Sequence, residues 1–328
     1  MKASSSRRNF LKKSAAATLS VPLVKSLEEY ALAVQDNQPA SAAAPAAPKA
    51  TVPNGTIGKV KMSRLICGGN LISGYAHSRD LIYVSPLLQH YFTDEKIMET
   101  WSLCEQHGVN TMIFFPGDAR ASALYEKYRA RGGRIQYLAQ LSPTKDDLKS
   151  SVKQAKDAGA VGAFLLGNIS DAWTREGEVK LIGELLANIK AQGLIAGVAG
   201  HEVRTVMAVE KAGFAPDFYM KTLHENNYWS KRRPDQMKEV IDNYSIDNYW
   251  CMDPKETIAF MSELKRPWIA YKVLAAGAIR PKAGLQHAFE NGADFAAVGM
   301  FDFQIAENVA VTNEVVQAAK NREREWFA

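Results

Sequence analysis

From about residue 60 the chain alternates short, continuously apolar runs with amphipathic stretches of helical period. The runs Arg64–Asn70, Val109–Pro116, Ile135–Leu141, Val161–Gly167, Leu194–Ala199, Asp217–Leu223, Trp268–Leu274 and Ala293–Gly299 predict eight strands. They lack polar–apolar alternation, which is the mark of strands buried on both faces. Between and after them, helices are expected at Asp94–His107, Ala121–Arg131, Lys145–Ala158, Glu178–Gln192, Val203–Ala212, Pro254–Leu264, Lys282–Asn291 and Gln304–Lys320. Most of these stop at a glycine (Gly108, Gly132, Gly159, Gly193, Gly213, Gly292), where a left-handed cap ends a helix. Eight strand–helix units in one α/β chain predict a closed (β/α)8 TIM barrel, with long loops after the first and sixth strands. An open doubly wound sheet is disfavoured, because no G-x-G-x-x-G follows the first strand.

Ahead of the barrel the pattern changes. Ser6-Arg7-Arg8-Asn9-Phe10-Leu11-Lys12 looks like a twin-arginine export motif. A weakly apolar stretch from Ser14 to Val24 and the small-residue site Ala31-Leu32-Ala33 follow it in the order of a signal peptide. The apolar stretch is too short for a stable membrane span. Residues 34–53, rich in Ala and Pro, read as a linker, which leaves 54–328 as a single barrel domain. The expected destination is periplasmic or extracellular, with the twin-arginine translocase as the partner during export.

Composition is ordinary for a globular protein, at 47% hydrophobic and 23% charged residues. The formal charge of +5 comes from 40 basic and 35 acidic side chains. Six of the basic and two of the acidic ones lie in residues 1–33, so the remainder is 34 against 33. A near-neutral barrel with a basic leader argues against a nucleic-acid partner. Cys67, Cys104 and Cys251 are scattered, with no C-x-x-C spacing, and suggest neither a disulfide framework nor a cysteine-built metal site.

A barrel carries its chemistry at the C-terminal strand ends and the loops that follow. Lys272 and Lys221 lie in strongly apolar strands, where burial lowers a lysine towards a usable base or an anion anchor. The structural alternative for Lys272 is an ion pair inside the barrel with Glu202 or Asp302. His201 and His224, each followed by Glu, stand just past the fifth and sixth strands and are candidate acid–base residues. With Glu202 they could also converge on one divalent metal ion, although no helical H-x-x-x-H spacing supports this. Two long loops, Leu71–Thr93 and Asn226–Asp253, read as lids. Their aromatic and amide residues suit a polar ring such as a sugar, since rings stack on its apolar faces and amides bond its hydroxyls. The expected substrate contacts are Asn70, His77, Gln140, Asn168, Tyr228, Trp229 and Trp250.

Several segments, in order, resemble the aldo-keto reductase superfamily. They are Met62-Ser63-Arg64-Leu65-Ile66-Cys67-Gly68-Gly69-Asn70, Glu105-Gln106-His107-Gly108-Val109-Asn110, the run from Asn188 to Val198, Ala270-Tyr271-Lys272-Val273-Leu274-Ala275-Ala276-Gly277, and Val298-Gly299-Met300 with Ala306-Glu307-Asn308-Val309. The resemblance implies a barrel, NADP as cofactor and carbonyl reduction by a Tyr acid supported by Asp, Lys and His. This chain departs from that catalytic set. Thr111-Met112-Ile113-Phe114-Phe115 replaces the Asp segment, and Pro116-Gly117-Asp118-Ala119 fills the Tyr loop. Gln140 or Leu141 stands at the Lys position, Gly167 or Asn168 at the His position, and Ala199-Gly200 at the nicotinamide-holding pair. The leading expectation is therefore an exported enzyme that moves protons on a small polar, sugar-derived substrate (lyase, hydratase or isomerase chemistry), with Lys272 or His201 as base. The alternatives are an NAD(P)-dependent oxidoreductase with a rearranged site, and a non-catalytic carbohydrate-binding barrel.

Overall fold

Eight short parallel strands close on themselves in the order β10-β3-β4-β5-β6-β7-β8-β9. They are β3 (Leu65–Cys67), β4 (Thr111–Phe114), β5 (Gln136–Leu141), β6 (Gly162–Leu165), β7 (Ile195–Gly200), β8 (Phe218–Thr222), β9 (Trp268–Tyr271) and β10 (Phe295–Val298). The structure, a computed structural model, describes residues 51–75, 81, 83–228, 231 and 251–328. The expected leader and most of the linker, together with His77, Trp229 and Trp250, lie outside the described residues.

The eight-strand barrel expected from the apolar runs is the observed fold, and each strand lies inside its run or within one residue of it. The reason is burial on both faces. Ile66, Ile113, Leu138, Phe164, Phe218, Met220, Ile269 and Phe295 fill the lumen. Alternate residues such as Leu65, Met112, Tyr137, Leu165, Tyr219 and Trp268 pack outward against the helices. The outer layer is formed by α1 (Val84–Tyr91), α2 (Asp94–Gln106), α3 (Ala119–Ala130), α4 (Ser150–Asp157), α5 (Gly167–Arg175), α6 (Val179–Ala191), α7 (Val203–Lys211), α8 (Pro254–Glu263), α9 (Pro281–Glu290) and α10 (Ile305–Ala318). Thr93, Asp118 and Asp253 cap α2, α3 and α8 through their side chains. Gly193 ends α6 at a φ of 71°, which an L side chain adopts only with strain. Among the described residues no helix is long and apolar enough to cross a membrane.

Four features depart from the expected pattern. A hairpin of β1 (Asn54–Ile57) and β2 (Val60–Ser63) closes the N-terminal end of the barrel with Ile57, Val60 and Met62. Its alternation is too short to stand out, and it is pinned from afar: Asn110 Oδ1 accepts from the Ser63 amide at 2.8 Å. Helix α1 forms inside the expected lid. Helix α4 starts only at Ser150, because Asp147 draws the Lys149 and Ser150 amides onto its carboxylate in a turn. Helix α5 occupies residues that the pattern assigns to a loop.

The N-terminal end is locked by Asp294, whose side chain is wholly buried. Its carboxylate meets Arg322 Nη2 at 3.1 Å and Arg324 Nη1 at 2.9 Å, and it accepts the Trp268 and Phe327 amides at 2.9 Å each. Trp326 is sandwiched between Arg64 and Arg322, with guanidinium carbons 3.9 and 3.5 Å from its ring centroids. All of this lies at the end of the barrel away from the strand C-termini, the end that serves stability rather than chemistry.

Candidate active site

Strand alternation fixes what faces the mouth. Ala199, Met220 and Ile269 point into the lumen, so His201, Thr222 and Tyr271, two residues further on, form the next inward layer. Thr222 pairs with Tyr271 across β8 and β9. The His201 and Tyr271 ring centroids are 5.6 Å apart. The N-terminus of α5 closes in from β6: a Cβ on Gly167 would lie 2.8 Å from both His201 Cε1 and the Tyr271 hydroxyl. Only glycine lets the helix start so close to these two rings.

His201 is 5% exposed and is held by a wholly buried carboxylate, Asp171 of α5. Asp171 Oδ2 lies 2.8 Å from His201 Nδ1 and accepts the His201 amide at 2.9 Å. Its Oδ1 accepts the Thr205 hydroxyl at 2.6 Å and the Glu202 amide at 3.4 Å. The carboxylate thus sits at the start of α7, where the helix dipole favours negative charge. An acceptor in this position assigns the Nδ1–H tautomer to His201, which leaves Nε2 as the basic nitrogen. Burial lowers the His201 pKa below the ordinary histidine value. Asp171 opposes that shift, while the Lys272 and Lys221 cations add to it. The ring is therefore a neutral base at pH 7.

Lys272 follows β9 with a φ of 58°, in a turn where Ala275 (45°) and Ala276 (56°) are also left-handed. Three non-glycine residues in this conformation within five positions store backbone strain at the barrel mouth. The side chain is half-buried, and loss of hydration pulls its ammonium from 10.5 down to about 7. It acts electrostatically on both His201 and His224. The expected alternative partners are engaged elsewhere: Glu202 with Arg175, and Asp302 with Tyr91 and with Lys96 at 3.0 Å.

Other expected site residues are placed differently. His224 is not available for acid–base or metal chemistry, because both ring nitrogens are held by backbone. Nδ1 donates to the Glu225 carbonyl at 2.9 Å, and Nε2 accepts the Cys251 amide at 3.0 Å. Burial lowers its pKa to about 4, in keeping with a neutral, structural ring. Lys221 is 1% exposed, but it alternates with lumen-facing Met220 and so points outward. Its ammonium donates to the Thr222 carbonyl at 2.8 Å. The proposed metal set of His201, Glu202 and His224 does not converge. Among the described residues no group of three or more His, Cys, Asp or Glu side chains is placed to hold a metal ion. Asn70 lies exposed in the turn after β3. Gln140 faces inward at the end of β5, two residues beyond Leu138. Asn168 is the second residue of α5, and Tyr228 packs edge-on against His224 at 5.6 Å.

The mouth therefore gathers His201 and Lys272 around three groups the pattern does not single out: Asp171, Tyr271 and Thr222. Residues 168–177 between β6 and α6 are long enough for two helical turns, and Ile169 and Trp173 give them an apolar face. An Asp beside that face was the available signal for Asp171.

No protein-family model matches the chain, and no curated protein matches it. Solved structures do. A Pseudomonas aeruginosa protein described as an aldo-keto reductase superposes with a TM-score of 0.55 at 17% identity, over 80% of this chain and 96% of its own. The NADPH complex of a Gox0644 variant gives 0.50 at 10% identity, over 85% and 97%. A Thermotoga maritima phospho-2-dehydro-3-deoxyheptonate aldolase gives 0.50 at 11%, over 83% and 75%. These similarities concern the fold alone: an eight-stranded α/β barrel.

Proposed function

We propose that the chain is an exported barrel enzyme that moves a proton on a carbon next to a carbonyl of a small polar, sugar-derived molecule. The twin-arginine motif supports export, and the aromatic and amide residues of the long loops support the substrate class. The observation that carries the reading is the Asp171–His201 pair at the barrel mouth, with Nε2 as a neutral base beside Lys272. In the first step Nε2 takes the proton, and the C–H electrons pass to the carbonyl oxygen as an enolate. The Lys272 ammonium, half protonated near pH 7, is suited to stabilise that oxygen or to protonate it. Asp171 holds the ring in the tautomer this step requires and stabilises the imidazolium that forms.

Asp171→Asn tests the assignment. The variant keeps the shape but favours the wrong tautomer, so kcat should fall by about 10²–10⁴-fold with little change in KM. Unchanged kcat in a folded Asp171→Asn protein would remove His201 from the role of base.

One observation favours a second reading, the nicotinamide-dependent oxidoreductase. The Tyr271 hydroxyl stands beside His201, with Lys272 next in sequence. These are the residue types of the reductase catalytic set, carried on other strands. Fluorescence titration with NADPH separates the two readings, since tight binding supports reduction and none supports proton transfer.

A further inference from the structure

The lining of the mouth has a sign. Among the described residues, the Lys272 cation acts on His201 there, and Asp171, the carboxylate in direct contact with His201, is spent on Nδ1 and on the start of α7. Into the same space opens α5, a nine-residue helix that no side chain caps. Its Ile169 and Ser170 amides turn back to the Leu166 carbonyl, and no acceptor for the Gly167 amide appears among the described residues. A helix N-terminus carries about half a positive charge, and here the missing Cβ of Gly167 lets it approach His201 and Tyr271. A second, independent feature marks the same place. Thr222 is wholly buried, yet its hydroxyl oxygen has no hydrogen-bond partner. By strand alternation it faces the lumen on β8, between His201 on β7 and Tyr271 on β9. A buried hydroxyl left unbonded destabilises the fold unless something fills its place.

We infer that the substrate carries an oxyanion, a carboxylate or a phosphate monoester, received between the Gly167 amide at the start of α5, the Thr222 hydroxyl and the Lys272 ammonium. The inference rests on the proton-transfer reading of the mouth and narrows its substrate class to acids. A backbone amide and a hydroxyl donate to the oxygens, while the lysine supplies the countercharge. The anion then fixes the substrate end for end, so that its carbonyl meets the Tyr271 and Lys272 side and its C–H meets His201.

The test is calorimetric titration of the full chain with D-glycerate, glycerol 3-phosphate and glycerol, with the His201 ring signals followed by NMR. At least one charged probe should bind tenfold or more tightly than glycerol and shift those signals. A tighter glycerate identifies a carboxylate site, and a tighter glycerol phosphate a phosphate site. Thr222→Val, an isosteric change that keeps the fold, should weaken the charged probe three- to tenfold, and Gly167→Ala more than tenfold. Equal binding of glycerol would overturn the inference. So would charged-probe affinity that both variants leave unchanged. Oxyanion binding without any proton transfer would leave the subsite standing and refute the catalytic reading, whereas turnover confined to neutral substrates would do the reverse.

Discussion

Lys272 should weaken the fold it serves. Its ammonium falls from 10.5 in the unfolded chain to about 7 in the folded one, and each pH unit is worth about 1.4 kcal/mol. The full difference is about 5 kcal/mol, and water reaching a half-buried side chain reduces the measured penalty to about 2–4 kcal/mol. Because the folded pKa of this base is lowered, the penalty is complete below pH 7. It fades as pH rises towards 10.5, where the unfolded lysine also loses its proton. Lys272→Met keeps the length of the stem and removes the charge. In equilibrium urea unfolding the variant should be more stable than the parent by that amount at pH 6, and the gap should shrink to about 0.8 kcal/mol by pH 10. Lys221, also lowered by burial, is present in both proteins and cancels from the difference. Turnover should fall by about 10²-fold or more. A gap that does not change with pH, or a parent more stable than Lys272→Met at pH 6, would refute the claim that burial depresses this lysine.

Two further outcomes follow from contacts away from the base. Asp294→Asn should cost about 3–5 kcal/mol, because it leaves two buried guanidinium groups without their carboxylate; trypsin should then cleave after Arg322 or Arg324 at low enzyme concentrations that spare the parent. His224→Ala should lower stability by about 1–3 kcal/mol through the loss of two ring–backbone bonds. Its kcat, measured on folded protein, should stay within about threefold of the parent, as expected for a structural ring.

The barrel was legible because each strand is buried on both sides, so its apolar run survives in one dimension. The hairpin β1–β2 was not, since four-residue strands carry too little alternation and depend on Asn110, 47 residues away from Ser63. For the site, position past a strand end picked out His201 and Lys272, which follow β7 and β9 directly. The same rule misplaced His224. Two residues past the end of β8, its ring is held between the Glu225 carbonyl and the Cys251 amide. Lys221 went astray for the opposite reason: it lies within β8, where alternation sends it outward. Asp171 stayed hidden because its partner is 30 residues further along the chain, and spacing along a sequence does not reveal a contact between α5 and the start of α7. Thr222 and Tyr271 gain their meaning only from closure of the barrel, which sets them in one layer with His201.

The central claim is that His201 moves a proton on carbon, and deuterium wash-in reads that step without requiring a known product. The protein would be incubated in D₂O at pH 7 with a panel of small keto and hydroxy acids and sugar acids, without nicotinamide, while proton NMR follows the C–H signals beside each carbonyl. The account predicts enzyme-dependent loss of such a signal for at least one acid, and no loss with His201→Gln. Undiminished signals across the panel, together with NADPH oxidation by the same compounds, would contradict it.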